Sequence, residues 1–266
     1  MSDVYVPKIA AELGLNANGV AAAINLFKED ATIPFIARYR KEATGNLDEV
    51  QLAKIKERLE QLKELDTRRE AILKSLVERK LLTDELKAKI EAAEVMSKLE
   101  DIYLPFRPKR RTRATIAKEK GLEPLADKIY GQGQDDTAAL AAAYISEEKG
   151  VKTAEEALAG ARDIIAERVS EDETARARLR QLFAQKGVFH SKVLTGKEAE
   201  GAKFKDYFDW KEPAAKAPSH RILAMRRGET EGFLTMRIEV EAEEAISLIE
   251  PLFVKNASAC GRQVKE

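Results

Sequence analysis

The sequence predicts a mainly α protein: a multi-helix array with a long central helix and a helix-turn-helix-like element, followed by a small mixed α/β segment. Three observations carry this. Charged residues make up 35% of the chain and aromatics only 6%, a profile that suits helices with solvated outer faces. Leu52, Ile55, Leu59 and Leu62 follow a 3-4-3 spacing that Leu65 and Ile72 extend, the stripe of one long helix. Beyond Gly187 the period changes. Leu234, Met236, Ile238 and Val240 alternate with Thr235, Arg237 and Glu239, which is a strand signature. The expected organisation is a helical domain over residues 1–187, carrying a basic loop at 104–120, and a mixed segment over 188–266 that leads toward a further domain.

Residues 3–30 read as two short helices, the second capped by Asn16 or Asn18 and using Val20, Ala23, Ile24 and Phe27 as its apolar face. Pro34 suits the first turn of another short helix, and Gly45 its end. Arg38, Arg40 and Lys41 crowd around Tyr39 there. They read either as an anion or RNA contact or as local partners of acids such as Glu42 and Asp48, and local pairing is the commoner fate of such clusters. From Asp48 to about Arg79 runs the long helix, on the order of 45 Å at 1.5 Å per residue. A homodimeric coiled coil gives the same stripe; the loosening of the pattern at Arg69 favours an intramolecular helix layer. Glu64 stands four residues before Arg68, a favourable helix-surface pair.

Thr83 starts the next helix with Asp84 and Glu85 in its first turn, and Ser97-Lys-Leu-Glu100 reads as a capping box for a short one. Past the basic loop, Ala117, Gly121 and Leu122 form the turn pattern of a helix-turn-helix whose second helix starts near Pro124. Its outward side chains are expected to include Asp127, Lys128, Gln132 and Gln134. Glu123 and Asp127 are poor base readers, so the element is expected to be structural. Further helices are expected from Asp135 or Asp136 to Lys149, from Thr153 to about Val169, and from a Ser170-Glu-Asp-Glu173 box to Gly187. Arg176, Arg178 and Arg180 on the last of these read as a solvated face. In the final segment a strand is expected over Phe189–Thr195, a turn at Thr195-Gly196 and a hydrogen-bonded turn around His220, Arg221, Arg226 and Arg227. Residues 260–266 offer no clear closing element.

The stretch Leu104-Pro-Phe-Arg-Pro-Lys-Arg-Arg-Thr-Arg-Ala-Thr-Ile-Ala-Lys-Glu-Lys120 is the most one-sided in the chain. It holds Arg107, Lys109, Arg110, Arg111, Arg113, Lys118 and Lys120 against Glu119, in a chain with 46 basic and 46 acidic residues. Pro105 and Pro108 keep a helix from running through it. Arginines on a stiff, extended loop lose less entropy on meeting an anion than arginines on a floppy tail. These seven cations, with Arg38 and Arg40, are the candidate nucleic-acid-binding residues.

The inventory for catalysis is sparse. His190 and His220 are the only histidines and Cys260 the only cysteine, so no Cys/His metal set and no internal disulfide is expected. Ser219 next to His220, with Asp206 or Asp209 completing a triad after folding, is a weak pattern among common residues. No phosphate-binding loop or nucleophile elbow is present. The expectation is a protein that is not an enzyme and needs no cofactor. No apolar run approaches the roughly 20 residues of a membrane span, and the first residues lack the layout of a secretory signal, which reads as a cytoplasmic protein.

Three long motifs resemble one family. Ile33-Pro-Phe-Ile-Ala-Arg-Tyr-Arg-Lys-Glu-Ala-Thr-Gly-Asn-Leu-Asp-Glu49, Leu99-Glu-Asp-Ile-Tyr-Leu-Pro-Phe-Arg-Pro-Lys-Arg-Arg-Thr-Arg-Ala114, and Gly201-Ala-Lys-Phe-Lys-Asp-Tyr-Phe followed by Pro218-Ser-His-Arg-Ile-Leu-Ala-Met-Arg-Arg-Gly-Glu resemble the hallmarks of the bacterial Tex proteins, the transcription accessory factors. The matches cover essentially the whole chain in family order. The resemblance implies the helical N-terminal region of such a protein, related to a eukaryotic elongation factor. It also implies RNase H-like, helix-hairpin-helix and OB-fold RNA-binding domains beyond this chain. Family nucleic-acid binding is ascribed mainly to the OB-fold domain, and no enzymatic activity is established for the family.

Two functions follow as expectations. In the first, the chain binds RNA or DNA through phosphates without sequence specificity and takes part in transcription regulation. In the second, it is a helical scaffold that contacts the transcription machinery, its arginines pair internally or with an acidic partner, and nucleic-acid binding resides in absent C-terminal domains.

Overall fold

A computed structural model describes residues 4–266, which fold into two compact units, one up to Phe106 and one over Arg107–Glu266. The described residues are mainly helical, with one small three-stranded sheet among them. The expected change of texture at residue 187 is a change of secondary structure that falls inside the second unit.

The first unit is built along one helix. Its elements are α1 (Val6–Leu13), α2 (Ala17–Lys28), α3 (Ile33–Tyr39), α4 (Lys41–Thr44), α5 (Glu49–Glu78), α6 (Asp84–Glu91) and α7 (Met96–Tyr103), closed by a 3-10 turn over Leu104–Phe106. Helix α5 begins at a capping box: the Asp48 carboxylate accepts the Gln51 N–H at 2.7 Å, and the Gln51 amide oxygen accepts the Asp48 N–H at 3.0 Å. That satisfies two donors that the helix start leaves open. Its apolar stripe serves two cores in succession. Leu52, Ile55, Leu59 and Leu62 pack with Ile9, Val20, Ala23, Ile24 and Ile36. Leu65, Ile72 and Leu76 pack with Ile90, Leu99, Ile102 and Tyr103. The long stripe is therefore covered by helices of its own chain.

Several local expectations change here. Asn16 is the cap of α2, accepting from Asn18 N at 2.8 Å. The single helix expected between Pro34 and Gly45 is two, because Arg40 leaves helical geometry (φ −128°, ψ 26°) and the Thr44 hydroxyl donates to the Arg40 carbonyl at 3.1 Å. Ser97 does not cap α7, whose cap position is Val95. Glu100 is instead taken by Arg68, through Nε at 2.5 Å and Nη2 at 3.2 Å. This bidentate pair on a neighbouring helix replaces the expected Glu64–Arg68 contact, since a planar fork matches a carboxylate better than a loose surface pair does.

The second unit contains α8 (Arg113–Glu119), α9 (Glu123–Gly131), α10 (Thr137–Ala142), α11 (Ala154–Glu171), α12 (Glu173–Lys186), β1 (Val188–Val193), β2 (Asp209–Pro213), α13 (Ser219–Thr230), β3 (Leu234–Glu239), α14 (Ala242–Phe253) and α15 (Ala259–Lys265). Ala114, Ala117, Leu122, Leu125, Ile129, Ala161, Ile164 and Ile165 form its core with Cys260. The antiparallel sheet has the order β2-β1-β3, with Ser191 opposite both Trp210 and Met236. Helix α13 packs against β3, where Gly228 leaves room for the Leu234 side chain.

The expected helix to Lys149 stops at Ala142, and the chain turns back where Ser146 and Val151 exchange backbone hydrogen bonds at 2.8 and 2.9 Å. Asp172, not Ser170, caps α12, because Asp172 is the residue with extended backbone and its carboxylate accepts the Ala175 N–H at 2.8 Å. The region around His220 is the regular helix α13 rather than a turn. Residues 259–265 do close the unit: α15 buries Cys260 and Gly261 against the helical core. Gln132 is buried rather than outward. In the left-handed region (φ 56°), its side chain donates to the Phe253 carbonyl at 2.6 Å and accepts the Lys255 N–H at 2.7 Å.

Candidate nucleic-acid interface

The basic loop is pinned to α11 by two residues. Lys109 Nζ lies 2.6 Å from a Glu171 oxygen and 3.1 Å from a Glu167 oxygen. Glu167 and Glu171 are one helical turn apart, so both carboxylates face the same way. Thr112 supplies the second anchor. Its hydroxyl oxygen accepts the Thr115 N–H at 3.0 Å, capping α8, and its hydroxyl donates to Glu167 at 3.0 Å. One short segment thereby both starts a helix and docks on another.

The electrostatics follow from this burial. Burial pulls the Lys109 ammonium down, but hydrogen bonds to Glu171 and Glu167 outweigh it and hold its pKa above the usual lysine value. Burial likewise pushes Glu167 up, yet hydrogen bonds from Lys109, Thr112 and Lys118 hold its carboxyl below the ordinary range.

The seven predicted cations divide by type. Lys109 is consumed by the anchor. Lys118 lies 3.4 Å from Glu167 and 3.9 Å from Glu123, and Lys120 donates to the Gly150 carbonyl at 2.9 Å. The four arginines face water. Arg107 and Arg110 are exposed and make no ion pair or hydrogen bond among the described residues. Arg111 meets Glu119 at 3.2 Å with its side chain 71% exposed, and Arg113 meets Asp163 at 3.6 Å with its side chain 87% exposed. Pairs this exposed contribute on the order of 0–1 kcal/mol, so an incoming phosphate can compete for both guanidinium groups.

The α8–α9 pair has the predicted turn, with Gly121 at φ 80° and Ala117 buried. The start of α9 is committed to Arg168, which contacts Asp127 at 2.6 Å and Glu123 at 3.8 Å. That face presents acids already paired and no base-reading side chain.

Arg38 and Arg40 lie in the first unit. Both are exposed with no ion pair among the described residues, so the expected partners Glu42 and Asp48 do not engage them. Asp48 instead caps α5. Arg40 places its guanidinium 5.3 Å from the Phe35 ring centroid. Sequence reasoning missed the exposure of Phe35 and Tyr39, and it missed Thr112, Glu167 and Glu171 as anchors. The i,i+4 spacing of the two glutamates was the available signal.

The residues of the weak triad pattern are apart in role. Asp209 lies 3.3 Å from His190 Nε2, Glu239 lies 3.1 Å from its Nδ1, and His220 is exposed on α13.

The family models that match this chain are the Tex-like protein N-terminal domain, over residues 3–77, and Tex central region-like, over residues 132–264. Protein tex of Bordetella pertussis is 47% identical over 253 residues, 95% of this chain and 32% of that protein. Transcriptional accessory protein Tex of Neisseria gonorrhoeae is 45% identical over 236 residues, 89% of this chain and 31% of that protein. More distant is S1 RNA-binding domain-containing protein 1 of Homo sapiens, 26% identical over 83% of this chain and 23% of that protein. The chain spans about a third of the length of its bacterial relatives. No described helix is long and apolar enough to cross a membrane. With both regional models in family order and close to half of all positions identical to bacterial members, the chain belongs to the Tex family of transcription accessory proteins.

Proposed function

We propose that this chain is the nucleic-acid-contacting N-terminal portion of a transcription accessory protein, and that it binds RNA or DNA through phosphates without reading sequence. One observation carries the reading. Lys109 and Thr112 hold the basic loop onto α11 while Arg107, Arg110, Arg111 and Arg113 project into solvent, two of them with no partner among the described residues. A loop already held in place loses little entropy on binding, and a guanidinium fork suits phosphate oxygens. The paired acids at the start of α9 support contact with the backbone rather than with base edges. The name of the human relative, which specifies RNA binding, and the accessory role in the bacterial names support the same reading. It includes a role in transcription regulation in the cytoplasm and no catalytic activity.

The scaffold alternative accounts for the three lysines, which are spent inside the unit, but Arg107 and Arg110 have no internal partner among the described residues, and Arg111 and Arg113 only exposed ones. The test is a titration of the chain against RNA and duplex DNA at two salt concentrations, with the Arg107→Ala/Arg110→Ala/Arg111→Ala/Arg113→Ala variant alongside. Binding that weakens with salt and is lost in the variant supports the proposal. Equal binding by parent and variant removes the loop from it.

A further inference from the structure

The first unit carries a feature that the basic loop does not explain. Phe35 and Tyr39, one turn apart on α3, are 40% and 68% exposed, with ring centroids 5.5 Å apart and planes tilted by 44°. Neither ring is needed to complete the core, since Ile36 and Ala37 fill the buried side of the same helix. Two exposed aromatic rings side by side make a small apolar patch of the kind that a flat ligand can cover.

The surroundings narrow what that is. Arg40 lies against the Phe35 ring, and Arg38 and Lys41 flank Tyr39 and Arg40 in the chain; all three cations are exposed and make no ion pair among the described residues. Arg40 sits against Phe35 and leaves the Tyr39 face open. The nearby acids do not neutralise the site by contact: Asp48 is turned to the α5 cap, and Glu42 and Glu49 form no ion pair with these cations among the described residues. The backbone beneath is held firmly. The Thr44 hydroxyl donates to the Arg40 and Lys41 carbonyls at 3.1 and 3.3 Å, and the Thr44 carbonyl sits against Gly19 of α2. The break at Arg40 displays the patch on a fixed support, so little ordering is needed on binding.

We propose that Tyr39, backed by Phe35, is a stacking platform for an unpaired base of single-stranded nucleic acid, with Arg38, Arg40 and Lys41 holding the flanking phosphates. This rests on the nucleic-acid reading above and adds a strand preference that the loop cannot supply, because phosphates alone do not distinguish paired from unpaired bases. A flat base beside a phosphate matches a flat ring beside a guanidinium. A duplex keeps its base faces stacked on one another and unavailable.

The test uses the whole chain and three labelled probes of equal phosphate number: single-stranded oligothymidylate, its abasic counterpart, and a duplex. The proteins are the parent, Tyr39→Ala, Tyr39→Trp and the four-arginine loop variant. The parent is expected to prefer the oligothymidylate. Tyr39→Ala is expected to lose about 5-fold or more on that probe, the low end of base–aromatic stacking, while its affinity for the other two is unchanged. Tyr39→Trp is expected to retain the preference. Parent-like binding of oligothymidylate by Tyr39→Ala, or equal parent affinity for all three probes, overturns the platform. If the loop variant loses affinity for every probe in that case, the phosphate reading of the loop stands without the platform. A parent that binds none of the probes overturns both.

Discussion

Lys109 and Glu171 meet at 2.6 Å across the gap between the basic loop and α11, and this contact separates the cations that build the unit from those left to meet a ligand. With Glu167 as its second partner, Lys109 fixes a loop whose neighbouring arginines have no comparable restraint. The same pair makes the loop's stability sensitive to acid. Glu167 titrates below its ordinary value of 4.5 in the folded chain, so its stabilising contribution is complete above that pH and is lost as pH falls through the folded value. Lys109 is raised, so its contribution is complete below its ordinary value and is lost only at higher, strongly alkaline pH. Urea unfolding of the parent and of Glu167→Gln is expected to differ at pH 7, and the difference should shrink steadily as the pH is lowered through the acid range. A constant difference across that range contradicts the assignment.

Lys109→Met takes from Glu171 its cation and leaves Glu167, equally sheltered, with only the longer Lys118 contact at 3.4 Å and the Thr112 hydroxyl. A loss of about 1–3 kcal/mol at neutral pH is expected, the scale of a buried charged hydrogen bond left unmade. Equilibrium denaturation measures it.

The four arginines are expected to behave in the opposite way. Alanine at Arg107 and Arg110 should leave stability within about 0.5 kcal/mol of the parent, because neither makes an ion pair, hydrogen bond or ring contact among the described residues. Their removal should show instead in binding, as a log–log salt slope smaller by about 0.9 per lost duplex phosphate contact. A stability loss with unchanged salt slope makes them scaffold residues.

Gly160 gives a prediction whose sign is informative. In an exposed helix interior, Gly→Ala stabilises by about 1 kcal/mol. Here an added Cβ would overlap Leu122 Cδ1 and lie 3.3 Å from Ala117 Cβ, where α11 crosses the α8–α9 turn. Leu122 is 1% exposed and has nowhere to move. Gly160→Ala is expected to destabilise by about 1–3 kcal/mol, read as a lowered melting temperature.

Gln132→Ala is expected to be costly for a different reason. Its amide group serves both the Phe253 carbonyl and the Lys255 N–H. Removing it strands the buried Phe253 carbonyl and the partly buried Lys255 N–H, on the order of 2 kcal/mol together. Gln132→Glu keeps the acceptor for Lys255 but loses the donor to Phe253, and should fall between parent and alanine in unfolding experiments.

Much of the fold was legible because its signals are local. The stripe from Leu52 to Ile72 needs only the 3.6-residue period, and it gave α5 together with the residues that it buries. Alternation over Leu234–Glu239 gave β3, and Asn16, Thr83 and Thr153 cap the helices that follow them. Caps failed where two polar residues competed: Ser170 and Asp172 stand two apart, and the backbone at Asp172 decided the matter. The closing helix α15 escaped notice because its seven residues have too short a pattern to show a period and are ordered by burying Cys260.

The sequence by itself determined the helical class, the family motifs and the clustering of positive charge between Arg107 and Lys120, since each is a property of neighbouring residues. Only the tertiary structure decided which of those charges are available. Glu167 and Glu171 approach Lys109 from more than fifty residues along the chain. Folding brings them there by packing α8 on α11, and nothing in the local spacing of the cations records it. The same holds in the first unit, where burial of Ile36 turns Phe35 and Tyr39 outward beside Arg40. Charge and aromaticity are written residue by residue; exposure is set by what the rest of the chain covers.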